Sequence, residues 1–156
     1  MAFNSLDIGD PAGSRIWLCW NPVEVDVDIL RADEQFIHCS LLNKSTSTRC
    51  LITVVYGDCE LIRRRNLWDG LRSIAEDAPA EPWGVLGDFN AVLDVSESCG
   101  RSVENITAMT EFRELITDVG LVHIPFTGCP SLGTIAVREV AVFGVALTGF
   151  WSMEYG

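Results

Sequence analysis

The residues best suited to chemistry lie in residues 83–90, whose sequence is WGVLGDFN. A short apolar run typical of a buried strand ends at Gly87, and Asp88 and Asn90 follow it. Alternation along an extended chain predicts that both polar side chains point to the same side, and Gly87 permits a bend or a close backbone approach. Phosphodiester hydrolysis needs a carboxylate to orient water or hold a metal, and neutral donors for the phosphate. Asp88 and Asn90 suit these roles.

A simple turn explains residues 87–90 without any function, because Gly, Asp and Asn dominate turns. Spacing alone favours the turn. Tyr56 ends the apolar run LITVVY and could donate its hydroxyl to a phosphate. A solvent-exposed tyrosine at a strand end is the commoner case, so Tyr56 alone indicates no function.

Three consecutive arginines, Arg63, Arg64 and Arg65, form the basic cluster of the sequence. They could contact a DNA backbone, but a solvated helix face partnered by Glu60 and Asp69 is the simpler interpretation, and we favour it. Arg64 falls within the apolar stripe of the predicted helix and is expected to snorkel to solvent.

Hydrophobic periodicity predicts the elements that would position these residues. Four strand-like runs come first, at residues 15–20, 23–30, 35–42 and 51–56. Short turns between them favour antiparallel pairing, and the continuous apolar run 51–56 predicts a strand covered on both faces. A helical stripe follows over residues 60–78, and then a buried strand at residues 83–86.

A second helix is predicted to begin after Thr107, a suitable N-cap, and to end at Gly120. Residues 121–124 could begin another strand. This order of strands, helix, strand and helix predicts an α/β or α+β layered sandwich.

The length, net charge and cysteine content of the chain restrict the classes of function. A length of 156 residues suits one domain, and a net charge of -11 argues against binding to nucleic acid by bulk charge. The six cysteines form no CxxC pair, which argues against a zinc site, and most are expected to be small buried residues. His38 is expected to be structural. Residues 140–151 are too short to span a bilayer, and the absence of a secretory leader favours an intracellular location.

Seven stretches taken together resemble the endonuclease domain of plant non-LTR (LINE-type) retrotransposons, which belongs to the endonuclease/exonuclease/phosphatase superfamily. They are RIWLCWNP (15–22), FIHCSLLNK (36–44), ITVVYG (52–57), RRRNLWDGL (63–71), PWGVLGDFNAVL (82–93), FRELITDVGL (112–121) and FTGC (126–129). The stretches occur in the family's order, and the resemblance covers roughly residues 13–130.

The resemblance implies a DNase I-like fold of two packed mixed or antiparallel β-sheets flanked by helices. It implies Mg²⁺-assisted nicking of DNA, in the nucleus, with no membrane and no small-molecule cofactor. Asp88 would hold the metal and orient or deprotonate the attacking water, Asn90 would hold the scissile phosphate, and Tyr56 would donate to it.

Two family motifs have no match in this chain. The family carries an asparagine and a metal-binding glutamate before the RIW-CW-P motif, and an Asp and a Ser-Asp-His segment after FTGC. We therefore expect a copy truncated at both ends, with a loose lead-in (1–14), a partial endonuclease domain (15–130) and a divergent apolar tail without strand patterns (131–156). Impaired catalysis is the expected consequence. Two alternatives stay open, namely a non-enzymatic binding domain, and an active phosphoesterase that uses Asp94, Glu97 and Asp58 as substitute ligands.

Overall fold

The computed structural model describes residues 4–7, 16–77, 81–91, 103–124 and 134–138. Within these ranges the elements are, in chain order, β1 (Asn4–Asp7), β2 (Trp17–Trp20), β3 (Val25–Asp33), β4 (Phe36–Asn43), β5 (Thr48–Tyr56), α1 (Leu61–Asp77), β6 (Trp83–Asp88), α2 (Val103–Asp118), β7 (Val122–Ile124) and β8 (Thr134–Arg138).

Six of these strands form one mixed sheet in the order β3-β4-β5-β6-β8-β7. The pairs β3–β4 and β4–β5 are antiparallel, whereas β5 and β6 are parallel and are joined through α1. Strand β8 pairs antiparallel with both β6 and β7. The predicted mixture of strands and helices is confirmed, and β1 and β2 form a separate antiparallel pair.

Three strands differ from the sequence-based expectations. The predicted run of four antiparallel strands holds only from β3 to β5, because β2 pairs with β1 instead. Strand β1 lies in the segment expected to be a loose lead-in, and β8 lies in the segment in which we saw no strand pattern. Both strands are short and lack a clear alternation of polar and apolar residues, so periodicity gave no signal for them.

One hydrophobic core joins the sheet to both helices. Trp68 from α1 stacks on Phe112 from α2, with ring centroids 5.4 Å apart. Leu51 and Val55 from β5 and Trp83 from β6 belong to the same buried cluster. Because residues at alternate positions share a face, this core lies against one face of the sheet. Ile52 and Val54, on the other face of β5, are half-buried, so that face is only partly covered, where the sequence predicted a strand covered on both faces.

The two helices were predicted with different success. Helix α1 agrees with the predicted residues 60–78, but α2 begins at Val103, so Thr107 is an internal residue and not the N-cap. The first turn of α2 mixes Val103 and Ile106 with two polar residues, and Ile106 is exposed, so this turn does not extend the buried stripe that revealed the rest of the helix. The end was predicted correctly: Gly120 has φ +67°, its N–H donates to Thr117 O (3.2 Å), and the Leu121 N–H donates to Ile116 O (3.0 Å). These bonds form a Schellman motif.

The cysteines of the described ranges divide into buried and exposed residues. Cys39 and Cys50 are buried as expected, whereas Cys19 and Cys59 are exposed. Burial raises the pKa of the Cys39 thiol to about 12, so this thiol is unreactive at neutral pH.

In the described ranges, neither helix has the length and apolar character needed to cross a membrane.

Candidate active site

Tyr56 and Asp88 lie side by side at the ends of two parallel strands. Each is the last residue of its strand, and the two are register partners in the β5–β6 ladder. The carboxyl ends of parallel strands share one sheet edge, so both side chains start from the same edge. Alternation places them on the face opposite the helices. Asp88 is exposed and Tyr56 is half-buried, so the structure brings together two of the predicted site residues at an accessible edge.

Phe89 fixes the direction of the residues on either side of it. Its side chain is buried, and its ring lies 6.2 Å from that of Trp68 and 4.8 Å from that of Phe112. Exposure then alternates from exposed Asp88 through buried Phe89 to half-buried Asn90, as the sequence predicted. Strand β6 itself stops at Asp88, and Asn90 adopts a left-handed backbone with φ +47°.

Hydrogen bonds close a tight turn around the predicted site. The Asn90 N–H donates to Asp88 Oδ1 (2.8 Å), which confirms the turn that residue types alone favoured. The Gly57 N–H donates to Asp88 O (2.7 Å), and Asn90 Nδ2 donates to Gly57 O (2.6 Å). Because a carbonyl can only accept, this last bond fixes the orientation of the Asn90 amide. Among the described residues, no acceptor is seen for the second Nδ2 hydrogen.

Two glycines make this close approach possible. A Cβ at Gly87, where φ is +134°, would lie 2.0 Å from Val55 O, and a Cβ at Gly57 would lie 2.4 Å from Phe89 O. The two chain segments that carry Tyr56 and Asp88 therefore approach each other so closely at Gly57 and Gly87 that no side chain fits at either position. The predicted role of Gly87 in a close backbone approach is confirmed.

The arginine cluster divides into two exposed residues and one buried residue. Arg63 pairs with Glu60 at 3.3 Å, as expected, and Arg65 bonds Glu111 of α2 at 2.6 Å. The other expected partner, Asp69, pairs with Arg72 instead, at 3.5 Å.

Arg64 was placed wrongly by the sequence analysis. Its side chain does not snorkel to solvent but is only 4% exposed. Nη1 donates to Asp58 O (3.2 Å) and also to Asn90 O. The position of Arg64 within the apolar stripe of α1 was the available signal. The prediction failed because the backbone carbonyls of Asp58 and Asn90 accept hydrogen bonds from the guanidinium, which therefore does not have to reach solvent.

Gln35 supports the same loop and gave no signal in the sequence. Its side chain accepts from the Asp58 N–H (2.7 Å) and donates to Arg63 O (2.9 Å), and its backbone carbonyl accepts from the Tyr56 N–H (2.9 Å). This buried residue precedes β4 and therefore ties the β5–α1 loop to the neighbouring strand.

His38 is structural, as expected. Its Nδ1 lies 2.8 Å from Thr53 Oγ1, and the same hydroxyl accepts from Trp83 Nε1 at 2.8 Å. Burial, aided by the positive charge of Arg31, lowers the pKa of His38. His38, Thr53 and Trp83 thus bond to one another within the sheet, away from the edge that carries Asp88.

The described residues do not assemble a complete metal site. Nowhere in the described ranges do three or more His, Cys, Asp or Glu side chains come together as metal ligands. Mg²⁺ takes one or two carboxylates together with water and substrate phosphates. Asp88 supplies one carboxylate, one oxygen of which already accepts from Asn90. Asp88 is therefore a residue that could hold a divalent cation at this edge.

The substitute ligands are not supported by the contacts seen. Asp94 and Glu97 lie outside the described residues. Asp58 lies in the loop after Tyr56, but its Oδ1 accepts from the Glu60 N–H (2.8 Å) before the start of α1. Its carboxylate is thus used, in part, to support the helix.

Comparisons with known proteins identify the fold. The chain is similar in structure to the endonuclease domain of TRAS1, a telomere-specific non-LTR retrotransposon, with a TM-score of 0.63 and 9% identity, over 86% of this chain and 64% of that one. It is also similar to the human Nocturnin catalytic domain with bound sulfate anion, with a TM-score of 0.48 and 16% identity, over 78% of this chain and 51% of that one. No protein-family model and no curated protein matches the sequence.

The chain covers less than two thirds of the length of either domain. At 9% identity, the likeness to the TRAS1 domain concerns the backbone alone. The described part of the chain is thus similar in fold to the endonuclease domain of a non-LTR retrotransposon.

Proposed function

We propose that this chain is a retrotransposon-type endonuclease domain, directed at the phosphodiester bonds of DNA, whose catalysis is impaired in the chain as given. The observation that carries the proposal is the placement of Tyr56 and Asp88 on paired strand ends, with Asn90 held beside them. The ordered motifs of the sequence support the plant LINE type, and a DNA substrate implies action in the nucleus.

The three side chains have complementary chemistry in this proposal. The Asp88 carboxylate would orient the attacking water and accept its proton. The free Nδ2 hydrogen of Asn90 and the hydroxyl of Tyr56 would donate to the phosphate oxygens, where negative charge develops during attack. Bound Mg²⁺ would supply further charge neutralisation and a more acidic water.

Impairment follows from the weak support for a metal. A charged phosphate approaching an acidic protein needs compensating cations, and no three His, Cys, Asp or Glu side chains of the described residues come together to hold one. The motif that supplies the family's metal-binding glutamate has no match in the sequence. A weak metal site would lower the rate even though the donors around the phosphate are in place.

Nicking of supercoiled plasmid tests the proposal directly. Purified chain would be compared with Asp88→Ala and, as a matched control, with Asp118→Ala, which removes an exposed carboxylate from the end of α2. We expect slow nicking at best, requiring Mg²⁺, and reduced by Asp88→Ala roughly 10²-fold or to background. Asp118→Ala should retain the full rate.

Two results would contradict the proposal in different ways. Rapid Mg²⁺-dependent nicking that disappears in Asp88→Ala would show an intact enzyme and refute the impairment. Nicking that survives Asp88→Ala would refute the site itself. In the second case the activity would have to come from residues outside this strand edge or from a contaminant.

A further inference from the structure

Arg64 is a buried cation whose hydrogen bonds end on the main chain of the candidate site. It lies in the first turn of α1, and its guanidinium reaches the carbonyl of Asp58 in the β5–α1 loop and the carbonyl of Asn90 after β6. One side chain therefore connects the two loops that carry the site. Both bonds come from Nη1, which lies at the end of a side chain longer than that of lysine or glutamine.

The surroundings of Arg64 are electrostatically unusual. Burial lowers the pKa of its guanidinium, while Cys59, Glu111, Asp58 and Asp88 raise it, so a carboxylate of the site lies within reach of its field. No residue in the described part of the chain accepts from its Nε. A buried Arg without a directly bonded carboxylate is costly to the fold. Such a residue is better explained by what it holds in place than by its contribution to stability.

The held segment has a conformation that needs support. Asn90 combines a left-handed backbone, at φ +47°, with a side chain bonded to Gly57 O. Non-glycine residues in this region are strained and persist where neighbouring groups fix them. The bond from Arg64 falls on the carbonyl of this same residue. Loss of the guanidinium would free the carbonyl and let the amide of Asn90 move.

From these contacts we infer that Arg64 is a positioning residue for phosphate recognition: it locks the Asp88–Asn90 turn against the β5–α1 loop so that the Asn90 amide faces the phosphate. The inference rests on the proposed function, and it names the group that pre-organises that site. We assign Arg64 this supporting role because both bonds from its Nη1 end on main-chain carbonyls of the two loops.

Amide hydrogen exchange and NMR spectra can test this without any enzymatic activity. Arg64→Gln would be compared with Arg63→Gln, which removes the same charge from the neighbouring exposed position of α1. We expect Arg64→Gln to shift the resonances of the Gly57 and Asn90 amides and to speed exchange of the Gly57 N–H about tenfold or more. Exchange of core amides in β4 and β5 should not change, and Arg63→Gln should leave all of these signals as they are.

A second variant keeps the test decisive if Arg64→Gln does not fold. Arg64→Lys retains the charge on a shorter side chain, whose ammonium stops short of the position of Nη1, so it should show the same local change with a native core. Added guanidinium ion should restore the Gly57 and Asn90 signals of Arg64→Ala. Unchanged signals at both residues in a folded variant, or a change spread evenly over all core amides, would overturn the inference.

Nicking kinetics separate this inference from the proposed function. Where the unaltered chain nicks DNA, Arg64→Lys should lower kcat more than it raises KM, because the phosphate donor is misplaced and not removed. Where the unaltered chain shows no nicking and no phosphate binding, the proposed function fails. The exchange measurement still decides whether Arg64 holds the turn.

Discussion

Gly87 is the residue at which the backbone geometry of the site is least tolerant of change. Its φ of +134° is available to glycine, and an added Cβ would lie 2.0 Å from Val55 O. We expect Gly87→Ala to lower the free energy of unfolding by roughly 3 kcal/mol or more, since conformational strain and a backbone clash act together. Urea unfolding followed by circular dichroism would measure it.

The matched control is Gly120→Ala. Gly120 also has a positive φ, of +67°, but nothing lies within 4 Å of an added Cβ. The expected loss is about 1 kcal/mol, the cost of the left-handed backbone alone. Equal losses in the two variants would show that the contact with Val55 has no effect and that β5 and β6 do not approach each other as described.

His38 makes the fold sensitive to acid. Its pKa is lowered, so the folded state favours the neutral imidazole, and the stability this provides is complete above the ordinary pKa of 6.5 and is lost as pH falls through the lowered value. We expect unfolding free energy to fall more between about pH 7.5 and about pH 5.5 in the unaltered chain than in His38→Gln. Each unit of pKa shift corresponds to about 1.4 kcal/mol. Parallel pH profiles for the two proteins would contradict the buried neutral His38.

At the scale of elements, the packing of Phe89 links the sheet edge to the helices. Phe89 and Phe112 are both buried and touch each other, with centroids 4.8 Å apart. Truncating either to alanine should cost about 3–5 kcal/mol. We expect Phe89→Ala in addition to disturb the Asp88 and Asn90 amides, because it removes the anchor between them, whereas Phe112→Ala should spare them.

Chemical shift mapping of the two variants at low temperature would distinguish these effects. Phe112→Ala serves as the control for general loosening of the core. An identical pattern of shifts at Asp88 and Asn90 in both variants would mean that Phe89 supports the site only through overall stability.

Elements with strong local signals were predictable from sequence. Helix α1 and strand β6 have clear apolar patterns, and Gly120 ends α2 for a reason visible in its residue type. Strands β1 and β8 were missed because a short strand at a sheet position set by distant partners needs no pattern of its own. The start of α2 was misplaced because Ile106, in its first turn, is exposed and does not continue the buried stripe.

The positions of the candidate site residues were better predicted than their supports. Tyr56 and Asp88 were expected at strand ends, and the structure brings those ends together, while the roles of Asp88, Asn90 and Tyr56 stay predictions. Arg64 and Gln35 were missed because their partners are backbone carbonyls and amides of other loops. Such contacts depend on the folded chain and leave no periodic trace in the sequence.

The whole molecule carries a net charge of -11, which would oppose an approach to DNA. Bulk attraction to phosphates is absent, so contact should depend on divalent cations at the site. We expect fluorescence anisotropy to show no binding of a short labelled duplex in EDTA, and weak binding when Mg²⁺ is added. Potassium chloride at matched ionic strength is the control, and tight binding in EDTA would contradict the expectation.

An NMR titration with a short DNA duplex in the presence of Mg²⁺ tests most directly whether Tyr56, Asp88 and Asn90 form one phosphate-binding site. We predict that the backbone amides of Tyr56, Gly57, Asp88 and Asn90 shift together along one saturation curve, including the side-chain NH₂ of Asn90. Signals of Asp118, at the far end of α2, should stay unchanged. Shifts that spare these strand ends, or that follow separate curves, would contradict a single site.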